Sequence, residues 1–185
     1  MKPKYLFPKD YMADPSANVF NGRLYIYPSH DWDAGECFDD DGGHFQMKDY
    51  HVLSWDDVEN DDATDHGVIL DVKDVAWAEK QMWDNDCVEK DGKYYLIFSA
   101  KGYDGVFRLG VAVADNPYGP FRYQGVILEP VVGWTTHHSI VEYKGQWYLC
   151  YHDCVPSNDI THLRSLKIQR LFYNEDGTIQ KVVNE

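Results

Sequence analysis

A chain of 185 residues, 44% hydrophobic and 15% aromatic, is long enough to bury one proper core, which excludes a disordered polyanion in spite of a formal charge of −14. That charge also argues against nucleic acid and anionic membranes as partners, since both require a basic surface, and it leaves a neutral ligand such as a sugar compatible. No run approaches about 18 consecutive apolar residues, and Met1 to Tyr11 lacks an apolar signal core, so the chain is expected to be soluble, unsecreted and cytoplasmic.

Helical periodicity is weak, whereas short aromatic and β-branched runs bounded by Gly, Asn, Asp and Pro recur throughout, so the chain reads as all-β. The first strands are predicted at 15–20 and 23–28. Asp31 to Asp49 is the longest irregular stretch, and its Asp39-Asp40-Asp41-Gly42-Gly43 segment reads as a solvated surface loop, because the alternating ligands and closing bidentate Glu of a calcium loop are absent. Strands follow at 50–55, 67–71, 86–90, 93–99, 107–113 and 122–128, the 86–90 and 93–99 pair joined by Lys90-Asp91-Gly92. The last four are predicted at 138–143, 146–152, 164–173 and 178–183, with Tyr143-Lys144-Gly145 and Asn174 to Thr178 as hairpin signals. Cys37, Cys87, Cys150 and Cys154 form no CxxC pair and are expected to be reduced thiols; no spacing completes a zinc site around Cys150 and Cys154.

Three of these segments repeat one another: Asn21-Gly22-Arg23-Leu24-Tyr25-Ile26-Tyr27, Asp91-Gly92-Lys93-Tyr94-Tyr95-Leu96-Ile97-Phe98 and Lys144-Gly145-Gln146-Trp147-Tyr148-Leu149-Cys150-Tyr151. A turn glycine and an aromatic-aliphatic strand recurring in this way indicate a radially repeated β-architecture, the propeller being the leading case. Just ahead of the three repeats stand Asp14, Asp86 and the pair His137/His138. Asp14 before Pro15 also suits a turn, and Asp84 competes with Asp86 within Trp83-Asp84-Asn85-Asp86. Of two successive histidines at a strand start, only one ring can face the axis. Acids at equivalent places in neighbouring sheets would converge, and converging acids perturb one another's ionisation, which general acid-base chemistry uses.

Asp14-Pro15-Ser16 with Gly22 to Asp31, Trp83 to Asp86 with Gly92-Lys93-Tyr94-Tyr95, and His137-His138-Ser139-Ile140-Val141-Glu142 together resemble glycoside hydrolase family 43, nearest to its β-xylosidase and α-L-arabinofuranosidase members. The resemblance implies a five-bladed propeller fold, of which this chain supplies about three blades in one partial domain, at 1–75, 76–128 and 129–185. It implies inverting hydrolysis of xylosides or arabinofuranosides, a pentose-containing oligosaccharide as partner, Asp14 as the base that activates water and Asp86 as the acid that tunes and orients. By the same resemblance His137 anchors an axial calcium, with His138 as the second choice and a substrate-side residue; Arg164 lies near the sugar, and Trp83 walls its pocket.

The family's general-acid Glu has no counterpart, because Asp115-Asn116-Pro117-Tyr118-Gly119-Pro120-Phe121 runs almost directly into the His motif, as if the chain skipped the intervening blades. Glu79 and Glu129 do not sit at repeat-equivalent strand starts. Weakened hydrolysis is therefore expected, with a non-catalytic carbohydrate-binding or self-assembling fragment as the alternative. Too few blades to close a ring imply a homo-oligomer that completes it.

Overall fold

The computed structural model describes residues 3, 5–7, 9–35, 42–134 and 136–184; Cys37 and the Asp39 to Asp41 part of the predicted surface loop lie outside them. Twelve strands among the described residues form three antiparallel sheets. The first sheet holds β1 (Tyr11–Phe20), β2 (Arg23–Trp32), β3 (Gln46–Trp55) and β4 (Thr64–Asp71) in that order. The second holds β5 (Ala78–Lys80), β6 (Asn85–Lys90), β7 (Lys93–Gly102), β8 (Phe107–Ala114) and β9 (Arg122–Leu128), with β5 and β6 both pairing β7. The third holds β10 (His138–Tyr143), β11 (Gln146–Asp153) and β12 (Ser165–Leu171). This is the blade arrangement of a propeller fragment, with β1, β6 and β10 as neighbouring inner strands.

The sequence repeat has a direct local cause. Asn21-Gly22, Asp91-Gly92 and Lys144-Gly145 each place two residues at positive φ (52°/79°, 52°/74° and 52°/77°), the tight hairpin turn whose twist matches that of its strands. Along β7, side chains then alternate between two cores. Tyr94, Leu96, Phe98 and Ala100 pack with Tyr25, Tyr27, Tyr50 and Val52 of the first sheet. Tyr95 and Ile97 pack with Ile140, Leu149, Tyr151 and Leu171 of the third. The middle sheet is thus covered on both faces.

The outer faces of the other two sheets are covered unequally. On the first, Ile26, Pro28 and Leu53 line a cavity of about 640 Å³ together with Tyr5, Leu6 and Phe7 from the segment ahead of β1. On the third, Val141, Leu166 and Ile168 are 47%, 89% and 66% exposed.

Several boundaries differ from those predicted. β1 starts at Tyr11 rather than 15 and carries Pro15 within it; β1 is an edge strand with a bulge between Ala13 and Ser16, where a missing ladder donor is tolerated. β3 reaches back to Gln46, and the three-residue β5 is too short to leave an alternation signal. The stretch predicted as a strand at 178–183 makes only single bridges, Tyr173 to Ile179 and Leu128 to Val182. Cys87, Cys150 and Cys154 are free thiols.

Candidate active site

Asp14 sits at φ 48° in the β1 bulge, a left-handed conformation that aspartate tolerates better than most residues. Its Oδ2 accepts the hydroxyl of Ser29 at 2.9 Å. Asp86, at the start of β6, is 8% exposed and held from both neighbouring sheets. Its Oδ1 accepts from Ser16 Oγ at 2.8 Å and Asn18 Nδ2 at 3.5 Å, both on β1. Its Oδ2 accepts from Ser139 Oγ at 3.1 Å and the Ile140 backbone N–H at 2.9 Å, both on β10. A carboxylate so fully engaged fixes a negative charge in place and ties three sheets together.

Asp14, Pro15, Ser16, Asn85, Asp86, His137, His138 and Ser139 line one cavity of about 370 Å³. A neighbouring cavity of about 290 Å³ is lined by Asp14, Asp31, Phe45, Trp83 and Asp84 among others. Burial, and then the Asp14 charge, raises the ionisation of Asp31 above the usual aspartate range, with His30 opposing.

The two histidines differ in burial, but both line the cavity and both turn Nδ1 toward Asp84, contrary to the expectation that only one ring could face it, because His137 lies ahead of β10. The His138 side chain is fully buried, with Nε2 3.1 Å from the Ile97 carbonyl, which can only accept; Nδ1 faces Asp84 Oδ2 at 3.6 Å. His137 is largely exposed, its Nδ1 3.5 Å from Asp84 Oδ1. Asp84 Oδ2 and both side-chain polar atoms of Asn85 are buried without a hydrogen-bond partner. Trp83 stacks on Phe107 at 4.6 Å and meets Trp134 edge-on at 5.1 Å, so it serves both as pocket wall and as packing.

The structure therefore brings Asp14, Asp86, His137 and His138 onto one cavity and Trp83 onto the next. Arg164 is exposed just ahead of β12 and lines neither. Glu129 pairs with Arg108 at 3.4 Å and with Lys181, and Glu79 is exposed on β5, so neither reaches the cavities. Sequence reasoning missed Ser16, Asn18, Ser29 and Ser139 as the residues that hold the acids. Their signal is a run of small polar residues at inner-strand positions, which alone is indistinguishable from solvent exposure.

The inner strands of this propeller fragment thus deliver two aspartates and a histidine pair to one cavity. The family model for Glycosyl hydrolases family 43 matches residues 14–179, and the chain belongs to that family. It is 43% identical to a Beta-xylosidase of Xylanibacter ruminicola, with 98% of this chain and 100% of the relative covered. It is 36% identical to a Xylosidase/arabinosidase of Bacteroides ovatus, over 95% and 96%. The structure of RS223-Beta-xylosidase superposes with a TM-score of 0.60 at 35% identity, covering 98% of each chain. The first of these alignments spans 318 positions against a chain of 185 residues, so a large internal part of that relative stands opposite gaps here.

Proposed function

We propose that this chain acts on xylosides or α-L-arabinofuranosides of plant cell-wall polysaccharide, with Asp14 as the base that activates water and Asp86 as the fixed charge beside it. The observation that carries this reading is the convergence of Asp14, Asp86 and the His137/His138 pair on one cavity. An inverting glycosidase needs a second carboxyl group roughly 6.5–9.5 Å from the base to protonate the leaving oxygen. In this reading the internal gap falls on the family's segment for that acid, in keeping with the absence of any Glu among the described residues that line either cavity. Acid assistance is typically worth about 10²–10⁴-fold, so natural glycosides should turn over poorly and aryl pentosides with acidic leaving groups comparatively well. Hydrolysis of aryl xylosides and arabinofuranosides by the native chain and by Asp14→Asn tests this. Turnover lost in the variant supports the assignment; turnover that survives sinks it. Pentose binding by calorimetry without turnover on any substrate would favour the non-catalytic carbohydrate-binding module, a reading that the missing Glu favours.

The family's calcium is compatible with the residues present, since Asp84 Oδ2 and Asn85 Oδ1 are buried oxygens without a hydrogen-bond partner, and Asp84 Oδ1 lies 3.5 Å from His137 Nδ1. Asp84, Asn85 and His137 would hold the ion, and when bound it would supply fixed positive charge at the axis. A homo-oligomer belongs to the same reading. A second copy would cover the exposed Val141, Leu166 and Ile168 face of the third sheet. Light scattering of the native chain and of Leu166→Lys with Ile168→Lys tests it: a dimer that the double variant dissociates supports the proposal, and a monodisperse native monomer ends it.

A further inference from the structure

On the face of the first sheet turned away from the middle sheet, His30 of β2 and Asp49 and His51 of β3 offer three ligand atoms that lie within 4.8 Å of one another. The inner atoms are His30 Nδ1, 2.5 Å from Asp49 Oδ1, and His51 Nε2, 3.7 Å from the same oxygen. The outer ring nitrogens are each engaged by another carboxylate: His30 Nε2 by Asp10 at 3.2 Å, and His51 Nδ1 by Asp65 at 3.0 Å. All three inner residues are well shielded, with side chains 6%, 7% and 13% exposed.

We propose that His30, Asp49 and His51 form a binding site for a zinc-type divalent transition metal ion, with Asp10 and Asp65 orienting the two imidazoles from behind. Asp10 and Asp65 accept only, so the outer nitrogen of each ring can carry its proton; His30 Nδ1 shares a further proton with Asp49, and a metal that displaces it meets inward lone pairs from both rings. Two imidazole nitrogens and a carboxylate oxygen then lie within 4.8 Å of one another, a donor set that a metal ion can bridge in place of the proton. The outer carboxylates complete the second layer found behind metal-binding histidines, where they fix the tautomer and strengthen the ligand. Zinc bonds of about 2.0–2.2 Å separate ligand atoms by about 3.3 Å in a tetrahedron. The Asp49 to His51 separation is near that, and the Asp49 to His30 pair must open by less than about 1 Å. Two nitrogens and one oxygen select zinc, cobalt or nickel over calcium and magnesium, which prefer all-oxygen sites. A fourth position is left for water. The ion would clamp the segment ahead of β1 through Asp10 and stiffen β2 next to Ser29, which holds Asp14.

The test is zinc binding by the full chain after chelator treatment, followed by equilibrium dialysis with metal analysis and by the visible absorption of added cobalt(II). The expected result is one zinc per chain and an intense cobalt band of low coordination number. His51→Ala should weaken zinc binding by about 100-fold or more, and Asp65→Asn by about 10–100-fold. His137→Ala, at the axial cavity, should leave zinc binding unchanged. The milder Asp65→Asn carries the test if His51→Ala fails to fold. Substoichiometric zinc in the native chain, zinc binding indifferent to both His51 and Asp65, or zinc binding lost with His137 instead would each overturn the site; the first would mean that protons alone fill the cluster.

Discussion

Ser29 donates its hydroxyl to Asp14 from the strand directly across the β1 bulge, at 2.9 Å and with Ser29 fully buried. The bulge turns the carboxylate out of the ladder, and the serine decides where it comes to rest. A hydrogen bond to a charged group is worth about 1.5–3 kcal/mol, so Ser29→Ala should lower kcat on an activated aryl pentoside by about 10-fold or more. KM should change far less. Steady-state kinetics check this, and a change confined to KM would mean that Ser29 only shapes the pocket.

Asp86 accepts four hydrogen bonds from two neighbouring sheets, so its loss should be felt as stability as well as chemistry. In Asp86→Ala the Ile140 N–H and two hydroxyls lose their acceptor, at about 1–3 kcal/mol for each group that stays unsatisfied. Urea unfolding should show a loss of about 3 kcal/mol, with Asp86→Asn intermediate because one acceptor oxygen remains. An Asp86→Ala protein as stable as the native chain would show that the sheets are held by apolar packing alone.

Gly110 pairs with Phe98 across β7 and β8, and a Cβ there would stand 2.5 Å from Phe98 Cζ. Its backbone is ordinary strand, so space and not conformation demands glycine. Gly110→Ala should cost about 1–3 kcal/mol by overpacking. Adding Phe98→Leu should recover part of it, which a double-mutant cycle by urea unfolding would reveal.

His66 accepts or donates at Ser54 Oγ, 2.7 Å away, and stacks on Tyr118 at 4.9 Å. Burial first, and then the Arg23 charge, lowers its ionisation below the usual 6.5. With the folded value below the unfolded one, the unfolded chain binds the proton more readily. This contribution to stability is therefore complete above pH 6.5 and is lost as pH falls below it. The stability difference between native and His66→Gln proteins should shrink between pH 7.5 and 5, measured by unfolding at each pH; a constant difference would refute the linkage.

The parts of this molecule legible in its sequence are those fixed by nearest neighbours. Asn21-Gly22, Asp91-Gly92 and Lys144-Gly145 announce their hairpins because a two-residue turn needs positive φ at both places, and β7 announces itself by its aromatic and aliphatic run. The positions of Asp14 and Asp86 could be inferred from the repeat, but the grip on Asp86 could not. Ser16, Asn18 and Ser139 come from strands far apart in sequence, and nothing local distinguishes them from solvent-facing polar residues. The His30, Asp49 and His51 cluster was illegible for a related reason. Bulges between Ser29 and Asp31 and on either side of His51 shift the pairing of β2, β3 and β4, so strict alternation misjudges which side chains meet.

β7 faces two cores at once, with its even-numbered residues turned to one neighbouring sheet and its odd-numbered residues to the other. The two packing surfaces are therefore coupled through a single reading frame. Deleting one residue near the start of β7 would exchange the sets, turning Tyr95 and Ile97 toward the first sheet and the next aromatic positions toward the third. No local repair could restore one surface without misaligning the other, so this strand tolerates substitution of side chains far better than any change in its length.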